Sequence, residues 1–263
     1  MKAAILGYGF VGKATEQLLI DTEFDIVIQD PALGLKIDDW TDVEYVFICV
    51  PTPLYATSFV DENGSKIPVC GRLELRLVDN AIRSIPTCPN GKPPRIVIRS
   101  TIGPDQLSAD WLFMPEFLRE IHWAEDVANK DKSIIIGGHG AAALGALMPK
   151  GRQVKIVTAK AAAIFKLSRN AMLAAKVIMA NEIKEVCETY QVDYETVKEL
   201  FIVDGTLGTT HFDVPGPDGK SGFGGKCLPK DTEHFAGLLP LTDRFSAVNI
   251  FNTTVIENQK YRK

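Results

Sequence analysis

No apolar run in this 263-residue chain is long enough to cross a bilayer as a helix, so no membrane partner is expected. Positive charge is not in excess: 29 Lys and Arg against 33 Asp and Glu leave a net charge of −4. Without a basic field to hold a phosphate backbone, nucleic acid is not an expected partner. Cysteine is sparse and lacks paired spacing; Cys49, Cys70, Cys88, Cys187 and Cys227 form an odd set, and Cys49 lies inside an apolar, strand-like run. Reduced thiols in a cytoplasm suit that pattern better than a disulfide framework. No charged leader with an apolar run and cleavage site follows Met1-Lys2, which adds to the expectation of a cytoplasmic protein. Internal repeats and low-complexity tails are absent, and no metal site is expected. Of the four histidines, His122 and His139 stand outside any motif, His234 reads as a helix-surface residue, and His211 is a minor candidate for substrate contact.

What is present is enough apolar sequence, 46%, to bury a full core and divide into one large or two modest domains. Up to about residue 158, short β-rich runs alternate with helical segments, the pattern of a parallel sheet covered on both faces. Strands are expected at residues 3–6, 25–29, 45–50, 95–99, 112–114, 133–137 and 154–157, and loops at 53–71 and 87–94, where Gly, Pro, Asn and Ser gather. From about residue 161 to 190 there is no Gly or Pro, and the apolar spacing is that of one long helix. A shorter helix is expected at 194–201, then a Gly/Pro/Asp-rich loop over 204–225. Helical character resumes at Thr232, breaks near Leu239-Pro240, and returns over 246–261. The fold class read from this is α/β, with a doubly wound parallel sheet over 1–158 followed by an all-helical domain over 159–263.

Gly7-Tyr8-Gly9-Phe10-Val11-Gly12 follows the first strand and opens a helix, the context that lifts this spacing above chance. Such glycines let backbone N–H groups and a helix N-terminus approach a pyrophosphate, which makes the first domain a Rossmann-type one. Asp30 closes the second strand, placed to accept hydrogen bonds from a ribose 2′-hydroxyl and to repel a 2′-phosphate. NAD is therefore the expected cofactor. Val50-Pro51-Thr52-Pro53 and Ser100-Thr101 each follow an apolar strand, where the carboxyl edge of an open sheet faces its ligand, although strand ends also carry Pro and Thr for turn reasons. Lys166 and Asn170 leave one face of the long helix, which Leu173 and Val177 continue. An ammonium and an amide aimed at one oxygen would stabilise a developing alkoxide. Spacing alone weighs that equally against a solvated lysine beside an incidental asparagine.

Together these motifs, in this order, resemble the UDP-glucose/GDP-mannose dehydrogenase family: Gly7 to Gly12, Val50 to Pro53, Ser100-Thr101, Met114-Pro115-Glu116-Phe117-Leu118-Arg119-Glu120, Lys166 with Asn170, and Gly222-Phe223-Gly224-Gly225-Lys226-Cys227-Leu228-Pro229-Lys230-Asp231. The last is the most specific. The resemblance implies a four-electron oxidation of a nucleotide-sugar primary alcohol to a carboxylate, UDP-glucose to UDP-glucuronate, with two NAD molecules and an adduct on Cys227. Chemically, a thiolate adding to an aldehyde gives a thiohemiacetal that can release a second hydride and become a thioester. Lys226 and Lys230 would favour the ionised sulfur if they lie near it. By resemblance Glu116 handles a proton during thioester hydrolysis; as a bare residue it reads as a first-turn helix acid. Asp231 orders a catalytic water with Thr101, or caps a helix starting at Thr232, or does both. Phe117, Leu118, Arg119, Lys166, Asn170, Phe223 and Gly224 are implied as substrate contacts.

Three departures from the family pattern matter. The family continues into a third, C-terminal α/β domain that clasps the nucleotide, so a short form is expected here. Thr206 in Asp204-Gly205-Thr206-Leu207-Gly208 stands where the family carries an arginine that reaches a neighbouring subunit's substrate, and Ala163 where it commonly carries Glu. The last helices, including residues 249–258, resemble the family's dimerisation region, and a helical domain with an exposed apolar stripe needs a partner, so a homodimer is expected. Two rival readings stand beside this one. One is a single-step β-hydroxyacid or 6-phosphogluconate-type dehydrogenase, which shares the Rossmann-plus-helical plan and needs no cysteine. The other is a shortened homologue that binds NAD without turnover.

Overall fold

The computed structural model describes residues 1–60, 66–86, 93–238 and 249–262. In chain order its elements are β1 (Lys2–Leu6), α1 (Phe10–Leu19), β2 (Asp25–Gln29), β3 (Val43–Ile48), β4 (Leu54–Val60), β5 (Lys66–Leu73), α2 (Arg76–Arg83), β6 (Arg95–Ile98), β7 (Leu112–Phe113), α3 (Trp123–Ala128), β8 (Ile134–Gly137), α4 (Ala141–Ala146), β9 (Val154–Val157), α5 (Ala159–Thr189), α6 (Tyr194–Asp204), α7 (Leu228–Ala236) and α8 (Ile250–Tyr261). The chain divides into two units, Met1–Pro53 with Leu73–Lys166, and Leu54–Arg72 with Leu167–Lys263. No helix among the described residues is long and apolar enough to cross a membrane.

The first unit is a seven-stranded sheet in the order β2-β1-β3-β6-β7-β8-β9. Its apolar residues alternate between two cores. Ala3 and Ile5 of β1 join a buried cluster with Phe47, Leu112 and Ile136, whereas Ala4 and Leu6 join another with Val46, Ile48, Ile98 and Phe113. Apolar side chains on both sides of a two-residue period are what a sheet covered on both faces requires. The pairs β2-β1, β1-β3, β3-β6 and β6-β7 are parallel, but β7 meets β8 antiparallel, so β8 and β9 run opposite to the rest. The expected doubly wound parallel sheet is thus mostly parallel, with one antiparallel step between β7 and β8. Helix α3, between β7 and β8, has six residues and is about 9 Å long, too short to serve as the crossover helix of a parallel return.

β1 lies between β2 and β3, so the order reverses sense at the β1/β3 boundary, the place where open α/β sheets receive ligands at their carboxyl edge. Leu6 and Ile48 are register partners, which brings Gly7 and Cys49 out level at that edge.

The second unit holds the rest of α5, helices α6 to α8, and the two-stranded sheet β4-β5. That hairpin overturns the loop expected at 53–71. The runs Leu54–Val60 and Lys66–Leu73 carry Leu, Tyr, Thr, Phe, Ile and Val, and Asn63-Gly64 between them is a strong hairpin signal. Residues 61–65 themselves, most of the loop expected at 87–94, and the helix break near Leu239-Pro240 lie outside the described residues. The unit has two buried clusters of its own, one around Ala180, Cys187, Tyr194, Phe212 and Val214, the other around Ala174, Ile178 and Phe223. α6 starts where Asp193 accepts from Thr196 N at 3.1 Å and ends at Gly205, whose φ is +70°.

Phe47, at 0% exposure, packs edge-on to Phe24 with ring centres 6.4 Å apart. Phe47→Ala is expected to destabilise the protein by about 3–5 kcal/mol in urea unfolding. A loss under about 1 kcal/mol would show that the first core closes over the gap.

Candidate active site

Four strand ends converge on the carboxyl edge of the first unit. After β1, Gly7 takes φ +90°, and a Cβ there would stand 2.9 Å from Cys49 O; a Cβ on Gly12 would stand 2.1 Å from Gly7 O. Only glycine at both positions lets the turn close over the start of α1. That helix begins with Gly9 as its N-cap residue and no side-chain cap, so its first N–H groups remain for an anion. Asp30 stands beside this loop, Oδ2 accepting from Tyr8 N at 2.6 Å and Oδ1 from Ala32 N at 3.0 Å. Each carboxylate oxygen keeps a second lone pair for a diol. Tyr8 donates its hydroxyl to Glu16, and that bond, with burial, pushes its pKa up to about 12. Val11 packs on the first core, while Gly9 is exposed and Phe10 half-buried. After β3, Val50 is half-buried, Pro51 exposed and Thr52 buried. Ser100, after β6, donates to Val50 O at 2.6 Å and fastens these two strand ends together; Thr101 is half-buried.

After β7 comes Glu116, 6% exposed. Its Oε2 accepts from Leu118 N at 2.7 Å and its Oε1 from Lys166 Nζ at 2.9 Å. The segment around it is irregular, so the first-turn helix reading of Glu116 is corrected. Lys166 is 3% exposed, its ammonium also 5.6 Å from the centre of the Phe117 ring, which rests edge-on against Phe165. The reading of a solvated lysine falls with that burial. Leu118 packs on the first core. Arg119 turns to Asp126, donating from N at 2.7 Å and from Nη2 at 2.9 Å, and Lys132 Nζ joins the same carboxylate at 2.6 Å.

In the second unit, Cys227 is half-buried, outside any disulfide, and the N-cap residue of α7. The helix expected from Thr232 thus starts four residues earlier, at Leu228. Asp231 is therefore not its cap. Asp231 is fully buried within the first turn, Oδ2 accepting from Asn170 Nδ2 at 2.7 Å and Oδ1 from Lys230 Nζ at 2.8 Å. Asn170 Oδ1 accepts in turn from Arg169 Nη1 at 3.1 Å. Lys166 and Asn170 stand one turn apart on α5. Phe223 is 3% exposed with its ring in the core beside Ala174 and Ile178, while Gly224 is half-buried. His234 is not a surface residue but 2% exposed, with Nδ1 3.1 Å from Gly71 O. His122 and His139 are exposed; His211 is half-buried, its pKa lowered by burial and by Lys176 and Arg169. Thr206 is exposed, and Ala163 is fully buried.

Residues 160–254 match the model of the UDP-glucose/GDP-mannose dehydrogenase family, central domain. The UDP-glucose 6-dehydrogenase of Rickettsia bellii (strain RML369-C) is 30% identical over 213 residues, which cover 74% of this chain and 44% of that protein. The chain belongs to the UDP-glucose/GDP-mannose dehydrogenase family. It spans roughly a quarter to two thirds of the length of the curated family relatives it matches, and under half of the Rickettsia bellii protein. The fold agrees: a solved UDP-glucose dehydrogenase from the archaeon Pyrobaculum islandicum has a TM-score of 0.72 at 21% identity, covering 98% of this chain and 68% of that one. A Mycobacterium tuberculosis 3-hydroxyisobutyrate dehydrogenase has a TM-score of 0.67 at 16% identity, covering 98% and 92%.

Two residues near the family motifs were missed from the sequence. Arg99, 6% exposed, donates from Nε to Thr15 Oγ1 at 3.1 Å and from Nη1 to Met114 O at 3.2 Å, tying α1 to the strand end that precedes Glu116. Burial draws its pKa down, and burial pushes the neighbouring Cys49 thiol up to about 11. A basic residue ending an apolar strand was the available signal. The other is Asp126, where burial would raise the carboxyl but hydrogen bonds from Arg119 and Lys132 outweigh it and hold it well below the usual carboxylate range.

A folded-state pKa depressed in this way contributes stability above the unfolded value of about 4, and that contribution is lost as pH falls toward the folded one. Asp126→Asn should cost about 1–3 kcal/mol at pH 7. The gap to the parent protein should narrow at pH 3 in denaturant titrations; a gap independent of pH would detach the cost from the charge.

Proposed function

We propose that this protein oxidises the primary alcohol of a nucleotide-linked hexose, UDP-glucose, to the carboxylate with NAD, in two hydride transfers through an adduct on Cys227. Family membership and the dinucleotide loop support the reading. The observation that carries it is a set of two buried contacts, Lys166 on Glu116 and Asn170 on Asp231, whose first members are one turn apart on α5. Four of the six residues proposed as catalytic are thus withdrawn from water and hydrogen-bonded, the condition under which oriented dipoles and charges act strongly on a reacting oxygen.

NAD would be held by Gly7 to Gly12 and the start of α1, with Asp30 on the ribose, Val50, Pro51 and Thr52 on one side and Ser100 and Thr101 on the other; when bound it accepts the hydride of each oxidation. Gly7 and Gly12 fit a diphosphate bridge, and the Asp30 carboxylate fits an unphosphorylated ribose. Lys166 and Asn170 stabilise the oxygen as the alcohol gives its proton to water and its hydride to the bound cofactor to become an aldehyde. The Cys227 sulfur, at a helix N-terminus that favours thiolate, adds to the aldehyde carbon, and the same two donors hold the thiohemiacetal oxygen. Loss of the second hydride leaves a thioester on Cys227. Water attacks its carbonyl carbon, Glu116 takes the water proton, the C–S bond breaks, and the thiolate returns. Asp231 and Thr101 order that water.

A second reading, one hydride transfer from a hydroxyacid, is favoured by the likeness in fold to the 3-hydroxyisobutyrate dehydrogenase. Such a reaction leaves Cys227 idle. With UDP-glucose and NAD, two NADH per sugar oxidised are expected, and Cys227→Ala should abolish the acid while NAD still binds. One NADH per sugar would remove the thioester route.

We also propose a homodimer through α5. Met172, Met179 and Val186 are 64%, 49% and 57% exposed at seven-residue spacing, an apolar stripe that a second copy would cover. Light scattering should give twice the chain mass for the parent protein and a shift toward the monomer for Met179→Glu; an unshifted mass would place the interface elsewhere.

A further inference from the structure

The segment that leads to Cys227 is neither helix nor strand, yet at Gly222 and Phe223 its polar backbone groups are fully engaged. Gly222 N donates to Asn181 Oδ1 at 3.0 Å, and Gly222 O accepts from Arg262 Nη2 at 2.9 Å. Phe223 N donates to Asn258 Oδ1 at 2.8 Å, and Phe223 O accepts from Asn258 Nδ2 at 3.0 Å. All four groups of two consecutive residues are thus held by side chains, Asn181 from α5, Asn258 from α8 and Arg262 from just past the end of α8. Asn181 is 2% exposed and fixed by its own bond to Val177 O at 2.7 Å; Arg262 is also paired with Asp218. The Phe223 ring adds an apolar anchor, packed with Ala174, Ile178, Leu228 and Tyr261.

The glycines answer to the same contacts. A Cβ on Gly222 would stand 2.4 Å from Asn258 Oδ1, and one on Gly224 would stand 2.9 Å from the Arg262 guanidinium. Two of the three glycines that precede Lys226-Cys227 therefore make room for α8, whereas a Cβ on Gly225 would point into open space.

We propose that Asn258 and Arg262 are positioning residues for Cys227: they fix the 222–224 backbone, and through it the entry into α7 that sets the sulfur at the helix N-terminus. This rests on the reading of Cys227 as the nucleophile. An N-cap residue keeps its relation to the helix dipole only while the chain entering the helix is held, and here side chains do the holding that ladder bonds do elsewhere.

The test is the rate of Cys227 alkylation by iodoacetamide, followed by peptide mass spectrometry across pH, beside kcat for NADH formation and NAD affinity. Asn258→Ala is expected to slow alkylation at pH 7 three- to tenfold, move its pH profile upward, and lower kcat at least tenfold with NAD affinity unchanged. Arg262→Gln should do the same more weakly and carries the test if Asn258→Ala does not fold; Arg262→Lys should recover part of the loss. Unchanged alkylation and kcat per folded molecule, with only a lower Tm, would overturn the proposal. If Asn258→Ala slows alkylation while Cys227→Ala still yields two NADH per sugar, the clamp stands and the nucleophile reading fails.

Discussion

Lys166 and Glu116 hold a full positive and a full negative charge together in a place that water barely reaches, with side chains 4% and 6% exposed. Taking two such groups out of water costs several kcal/mol for each, and apolar residues of the same volume commonly do as well or better for stability. Their presence in the first unit is better explained by chemistry than by folding energy. The surroundings are arranged to tolerate the pair: Leu118 N satisfies the second carboxylate oxygen, Phe117 lays a ring near the ammonium, and Arg99 braces the strand end from behind through Met114 O.

The strands were largely legible because a doubly covered sheet writes itself as short apolar runs, and β2 and β9 match the expected bounds. α5 was legible for the opposite reason, a long stretch with neither Gly nor Pro and a helical period. The sheet β4-β5 is hidden in the sequence because Gly, Pro, Asn and Ser between and within its two apolar runs are also the composition of a loop. α7 begins ahead of the position that Asp231 suggests by its type as a cap residue, and Pro229, which suits the first helical turn, marks the earlier start. His234 was misplaced since a lone histidine on a helix does not reveal what its face packs against.

The candidate site was read as a set of residues, not as a set of contacts. Lys166 and Glu116 are 50 residues apart, Asn170 and Asp231 61, and no local period encodes such a pairing. Asn258 and Arg262 are harder still, because the groups they hold at 222 and 223 are backbone atoms and leave no trace in composition. What the sequence does carry is their shadow, Gly222 at a positive φ where a Cβ would meet Asn258 and Tyr261, and Gly224 where a Cβ would crowd the Arg262 guanidinium.

The division of the chain has a consequence for how the protein can be cut or rebuilt. The polypeptide passes from one unit to the other after Pro53, returns after Arg72, and leaves again after Lys166 inside a continuous helix. Neither unit is a single stretch of sequence. A gene fragment stopping at the end of the sheet would carry Gly71 without the His234 that meets it, and one starting at α5 would lack the hairpin altogether. Exchange of whole units between relatives therefore takes three junctions, and the third has to be spliced within a helical turn that bears both Lys166 and Asn170.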